Sequence, residues 1–263
     1  MNPKDLSIII PHLGETKEQE YSFDECYASL RESTPEVRIV VAKNGAACHH
    51  HRDVRVLSQG QCGAVNAGVA ITNTPWILIT NDDMIFAPGW LDDLFGFTSL
   101  QCVSPLLVEP RPGAPTFIPY FCGGAGGDFD KQKFFDFANE HKGSGLRTGF
   151  NMPLLIKREL WDLVGGYDIN YDPWGSNSDS DLEYKIKLSG VQPMQNMGCF
   201  VYHFGQTSGT FESQNNEYWL KNFAYFEQKW GFPRTDTGIW EASFEIPKEN
   251  KFHPWFEGFY GNS

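Results

Sequence analysis

The sequence predicts an α/β protein: a mostly parallel, twisted sheet flanked by helices, followed by a loop-rich second half. Short continuous apolar runs recur through the first hundred residues, segments with helical spacing separate them, and the alternation stops near residue 108. Continuous rather than alternating runs suit strands covered on both faces. Repetition of strand, helix and strand makes successive strands parallel through right-handed crossovers.

The first run, 6–10, is ended by Pro11. Phe23, Cys26, Tyr27 and Leu30 then fall at i, i+3, i+4 and i+7, the spacing of one helix face. Runs 37–41 and 54–57 read as the next two strands, and the glycines of GQCGAVNAG (60–68) open a helix. WILI at 76–79 is a strand, PGWLDDLFGF at 88–97 a helix and 102–107 another strand. From there EPRPGAPTFIPYFCGGAGGDFD brings four prolines and five glycines, which read as long loops with an edge strand, and 108–148 as a segment that orders over a bound donor as a lid would. A helix follows near 157–164, then the loop GGYDINYDPWGSNS, a helix at about 179–189, the strand-like CFVYHF, and a helix with Trp219, Phe223, Phe226 and Trp230 on one stripe. The tail from Trp240 is aromatic and aperiodic.

The chain has 263 residues and 41% hydrophobic content, enough for one substantial core. Its 33 acidic and 21 basic residues give a formal charge of -12, with no Lys/Arg cluster able to follow a phosphate backbone. Nucleic acid and anionic membranes are therefore excluded as expected partners. A phosphate ligand in so acidic a protein calls for a bound cation. Six cysteines without a CxxC pair read as reduced thiols, and no stretch approaches the roughly 18 apolar residues of a spanning helix. The expectation is a cytoplasmic protein with no transmembrane segment.

Four stretches carry groups suited to chemistry. In NDDM, Asn81, Asp82 and Asp83 stand at the carboxyl end of a parallel strand, where ligands collect. Carboxylates there suit a hard divalent cation, and an Asx-type turn is the plainer reading. In SNSDSDLEYKIKLSG, Ser178 and Asp181 could form a capping-box-like helix start. Asp179 and Asp181 do not share a helix face, so one is free to face a cleft as a general base. In VYHFG, His203 is a structural imidazole or, beside a carboxylate cluster, a metal ligand. GQCGAVNAG has the small residues of a phosphate cradle but Gly60-x-x-Gly63 spacing instead of GxGxxG, which argues against a dinucleotide site. His49 to His51 read as a solvated turn.

In their order along the chain, SIIIPH, RIVVAKNGA, Gly60-x-x-x-Ala64-x-Asn66-x-Gly68, WILITNDDM with APGWL, RTGFNMPLLIKRELWDLVGGYD, SDSDLEYKIKLSG and VYHFG resemble the family-2 glycosyltransferases of the GT-A fold, over roughly residues 6 to 205. The resemblance implies a metal-dependent inverting enzyme. It assigns Asp83, with Asn81 and Asp82 beside it, to the DXD-type motif that binds Mn2+ or Mg2+ against the donor diphosphate. It makes His203 a further metal ligand and Asp179 the general base. Pro11, His12, Lys43, Asn44 and Asn66 would hold the nucleotide, and Arg147, Thr148 and Gly149 would lie near the acceptor. Trp174, Phe150 and Tyr171 could wall the sugar rings or simply pack. The implied partners are a nucleotide-sugar donor, UDP favoured and thymidine or guanosine left open, and a carbohydrate or glycoconjugate acceptor. Residues 1–108 form the Rossmann-like nucleotide-sugar-binding half, 109–239 the acceptor-binding and catalytic half of the same domain, and 240–263 a C-terminal tail. Lys43–Asn44 replaces the family's acidic pair after the second strand, Asn81 stands where the first Asp of DXD often sits, and Ser178 replaces the Glu before the base. Those departures keep a non-catalytic carbohydrate-binding or nucleotide-sugar-binding protein as the alternative. A sugar nucleotidylyltransferase would need a basic, Gly-rich loop where PHLGETKEQE stands.

Overall fold

A computed structural model describes residues 2–44, 54–56, 60–97, 99–111, 117–143, 145–205 and 217–231; His49 to His51, the side chain of Asn44 and the tail from Trp240 lie outside the described residues. The described strands are β1 (Leu6–His12), β2 (Arg38–Asn44), β3 (Val54–Val56), β4 (Trp76–Ile79), β5 (Met84–Phe86), β6 (Cys102–Glu109), β7 (Phe117–Pro119), β8 (Leu146–Thr148), β9 (Leu154–Lys157) and β10 (Met194–His203). The helices are α1 (Lys17–Ser33), α2 (Gln61–Ala70), α3 (Trp90–Phe95), α4 (Lys131–Glu140), α5 (Arg158–Val164), α6 (Ser178–Leu188) and α7 (Glu217–Trp230).

All ten strands join one sheet in the order β3-β2-β1-β4-β9-β6-β10-β5, with β7 on β6 and β8 on β10. β1 to β4, β6, β7 and β10 point the same way, and β5, β8 and β9 run against them. The expected mostly parallel sheet is what forms. The continuous runs are buried as their composition requires: every residue of β4 and β6 is inside, and Ile8, Ile9 and Ile10 are fully enclosed. Each such side chain contributes about 1.5–3 kcal/mol relative to exposure.

Local signals set the helix boundaries. Thr16 caps α1 in a capping box with Gln19: Gln19 N–H donates to Thr16 Oγ1 at 3.2 Å, and Thr16 N–H donates back to Gln19 Oε1 at 3.2 Å. Phe23, Cys26 and Leu30 enter the core, as their spacing predicts. α2 lies so close to the sheet that a Cβ on Gly68 would stand 2.7 Å from Ile9 Cγ2.

Two stretches depart from expectation. Within 108–148, read as loops with an edge strand, β7 is that strand, pairing with β6 alone among the described strands, and β8 and α4 are additional; Phe134, Phe137 and Ala138 of α4 pack under Leu106, Phe200 and Tyr202 in a second apolar cluster. β9 precedes the helix expected at 157–164 and wedges antiparallel between β4 and β6.

Candidate active site

The carboxyl ends of β1, β2 and β4 meet on one edge because these strands are parallel and in register, with His12 opposite Lys43. Pro11 and His12 close β1, and Asn81 to Asp83 form the turn from β4 into β5. The His12 ring stacks on Phe23 at 4.1 Å. Its Nδ1 pairs with Asp82 Oδ2 at 2.7 Å, and its Nε2 lies 3.6 Å from Glu20 Oε1. Buried Lys43 sends Nζ to within 3.9 Å of the same Glu20 oxygen. Burial raises the Asp82 carboxyl, and the bond to His12 opposes that rise. Glu20 went unrecognised in the sequence because it points from α1 across to two strand ends.

Beside this rim, three strand ends converge. β5 pairs with β10 so that His203 faces Met84, and Phe204 N–H donates to Asp83 O at 3.1 Å. β6 runs beside β10 with Val108 opposite Tyr202, which brings Glu109 to His203. The result is a chain of contacts: Asp83 Oδ2 lies 3.3 Å from His203 Nε2, His203 Nδ1 pairs with Glu109 Oε1 at 2.7 Å, and Arg111 Nε donates to Glu109 Oε2 at 2.6 Å. Burial alone would lower the His203 imidazole, but Asp83 and Glu109 outweigh it and raise the ring to about 10. Glu109 is held below its usual range, because His203 and Arg111 overcome its burial.

The Asp83 and His203 donors fit a small hard cation. Adjacent ligands of an octahedral ion at about 2.1 Å stand about 3 Å apart, close to the 3.3 Å separating these two atoms. Among the described residues no group of three His, Cys, Asp or Glu side chains could enclose a metal. Two protein donors suit an ion that completes its shell with water and phosphate oxygens.

Asp179 lies at the start of α6, half-buried, and accepts a 2.6 Å hydrogen bond from Tyr167 Oη on Oδ1. The Tyr167 backbone is clamped by Asn66, whose Nδ2 donates to Tyr167 O at 2.8 Å and whose Oδ1 accepts from Tyr167 N–H at 2.9 Å. Asn66, expected at the nucleotide, thus ties α2 to the loop before α6. The N-terminus of α2 is filled by the protein's own carboxylate: Asp172 accepts from Cys62 N–H at 2.8 Å and Gly63 N–H at 3.0 Å. A Cβ on Gly60 would lie 2.0 Å from Asp172 Cγ, so glycine there makes room for this cap and not for a phosphate. Since α2 follows β3, the loop holding Asp172 and leading to Asp179 is anchored at the same strand-end edge as His12 and Lys43.

Other expectations are corrected. The residue at the start of α6 is Asn177, in the left-handed region with φ 69°, and it makes no side-chain cap bond; Ser178 is the first helical residue. Asp181 is no cap. It is fully buried, accepting from Trp230 Nε1 at 2.9 Å and lying 2.7 Å from Lys229 Nζ. Lys229 also binds Asp168 at 2.7 Å, and although burial opposes it, this contact holds the Asp168 carboxyl down to about 2. Phe150 and Tyr171 are enclosed in the core and cannot wall a sugar, whereas Trp174 is half-buried with its ring 5.1 Å from Tyr218. Arg147 donates Nε to Gln195 Oε1 at 2.8 Å on the β8–β10 pair.

Residues 7–99 match the model for glycosyl transferase family 2. Over that segment the chain is similar to the glycosyl transferases of family 2. Its fold is of the GT-A type: the crystal structure of GalNAc-T7 with UDP, GalNAc and Mn2+ superposes with a TM-score of 0.60 at 16% identity, covering 86% of this chain and 48% of that one. The sequence is also 26% identical over 235 residues to a galactofuranosyl glycosyltransferase of Leishmania donovani, covering 76% of this chain and 52% of the relative. The chain thus spans about half the length of both. No described helix is long and apolar enough to cross a membrane.

Proposed function

We propose that the protein is a metal-dependent, inverting glycosyltransferase that moves a sugar from a nucleoside-diphosphate donor, UDP favoured, to a hydroxyl of a carbohydrate or glycoconjugate. The observation that carries this reading is the Asp83–His203 donor pair, 3.3 Å apart, on the sheet edge to which the loop bearing Asp179 is anchored. The UDP and Mn2+ bound by GalNAc-T7 and the sugar transfer named for the Leishmania relative support it.

Pro11, His12, Lys43 and Asn44 at the ends of β1 and β2, with Asn81 and Asp82, hold the nucleotide. Asp83 and His203 would hold Mn2+ or Mg2+, which would supply positive charge against the diphosphate. Asp179, oriented by Tyr167, takes the acceptor hydroxyl proton. The acceptor oxygen bonds to the anomeric carbon as the bond from that carbon to the diphosphate oxygen breaks. The nucleoside diphosphate departs with that electron pair, and configuration inverts. Residues 109–239 supply the acceptor side, with half-buried Trp174 as an aromatic surface. A cytoplasmic setting belongs to this reading, supported by five described cysteines that are buried and unpaired.

Asp179→Asn should keep its melting-temperature rise with UDP and Mn2+ while donor hydrolysis falls by about 10²–10⁴-fold. Parental hydrolysis in that variant would remove Asp179 as the base. Nucleotide binding by the parent without turnover of any nucleotide sugar would leave the non-catalytic binding protein instead.

A further inference from the structure

We propose that Glu109 is the positioning residue for His203, fixing the imidazole so that Nε2 faces Asp83 as a ready cation ligand; this rests on reading Asp83 and His203 as the metal site. Nδ1–H of His203 donates to Glu109 Oε1 at 2.7 Å. That bond keeps a proton on Nδ1, so a cation that displaces the proton from Nε2 meets the lone pair of the atom that stands 3.3 Å from Asp83 Oδ2.

Glu109 is equipped for this task. It is the last residue of β6, 2% exposed, so its carboxylate has no room to rotate away. Its second oxygen is held at 2.6 Å by Arg111 Nε, whose guanidinium also lies 5.4 Å from the Phe117 ring centre on β7. Each carboxylate oxygen therefore has one partner, and the orientation of the imidazole is set by strand register, since β6 and β10 pair beside this point. A carboxylate behind a metal-bound histidine fixes its tautomer and raises its basicity, and its removal typically weakens metal binding.

The sequence hides this role. Glu109 opens a proline-rich stretch that reads as loop, and it stands 94 positions from His203. A structural salt bridge would predict loss of stability on removal; a positioning carboxylate predicts loss of cation affinity in a chain that remains folded.

The test titrates Mn2+ alone into the apo chain and follows free Mn2+ by electron paramagnetic resonance, with melting temperature recorded in parallel. His203→Ala should lose binding. Glu109→Ala should bind Mn2+ roughly 10–100-fold more weakly than the parent, Glu109→Gln should recover part of that loss by keeping an acceptor for Nδ1–H, and Arg111→Met should show a smaller loss. If Glu109→Ala does not fold, Glu109→Gln and Arg111→Met carry the test. Folded Glu109 and Arg111 variants with parental affinity would overturn the proposal while leaving the metal site intact. A parent chain that takes up no Mn2+ would instead overturn the metal-site reading, and this inference with it.

Discussion

Glu183 sits one helical turn beyond Asp179 on the same face of α6, enclosed, with Lys187 2.8 Å from one oxygen. Its other oxygen has no hydrogen-bond partner among the described residues. Burial pushes its carboxyl up to about 7, Lys187 opposes the rise and the nearby Asp179 adds to it. The folded value lies above the ordinary 4.5, so the native state binds the proton more tightly than the unfolded chain. Stability from this group is present at low pH and is lost as pH rises from about 4.5 through about 7. Glu183→Gln should flatten that loss, read as urea midpoints that change less between acidic and neutral buffer than those of the parent. At this scale the sequence showed residue types better than partnerships. Asp82, Asp83 and Asp179 stood out as carboxylates beside strand and helix ends, and His203 as an imidazole after a short apolar strand. Glu20, Glu109 and Tyr167 did not, because their partners arrive through sheet register and helix packing.

Asp172 joins two elements. Its carboxylate meets two backbone N–H groups of α2 and the positive end of that helix's dipole, while its own loop runs on to α6. Asp172→Ala should cost about 1–2 kcal/mol of stability, the range for a lost helix cap. It should also lower kcat for transfer more than it raises KM for the donor, because the loop it anchors ends at Asp179. Denaturant unfolding and donor-saturation kinetics check the two parts. The cap explains why the glycines of GQCGAVNAG mimic a phosphate cradle: both need small residues and free N–H groups at a helix start. β9 escaped because three apolar residues and a lysine leading straight into RELWDLV read equally as the first turn of that helix. α4 escaped because Gly and Pro dominate the stretch before it, although Asp130 as a cap and the spacing of Phe134, Phe137 and Ala138 carry a helix signal.

For the molecule as a whole, the parallel sheet was legible because alternation of buried runs and amphipathic segments admits few topologies. The reversal at β9 was not, since direction in a sheet depends on connections that apolar patterning does not record. The last described helix was legible as an apolar stripe, but its buried lysine was not. Lys229 reaches Asp168 before α6 and Asp181 within it, Trp230 donates to Asp181, and Asn222 Nδ2 donates to Tyr171 O at 2.7 Å. Lys229→Met removes the ammonium shared by Asp168 and Asp181, leaving them their neutral donors and Lys185 3.5 Å from Asp181, and should destabilise the protein by about 3 kcal/mol, the low end of the cost of breaking a buried ion pair from one side. Chemical denaturation measures the drop.

That arrangement makes α7 a keystone. The segment bearing Asp168, Asp172 and Asp179 is tied to α2 through Asp172 and to α7 through Asp168, so a displacement of α7 reaches Asp179 along that loop. Whatever adjoins the chain beyond Gly231 therefore holds a mechanical handle on the segment that carries Asp179.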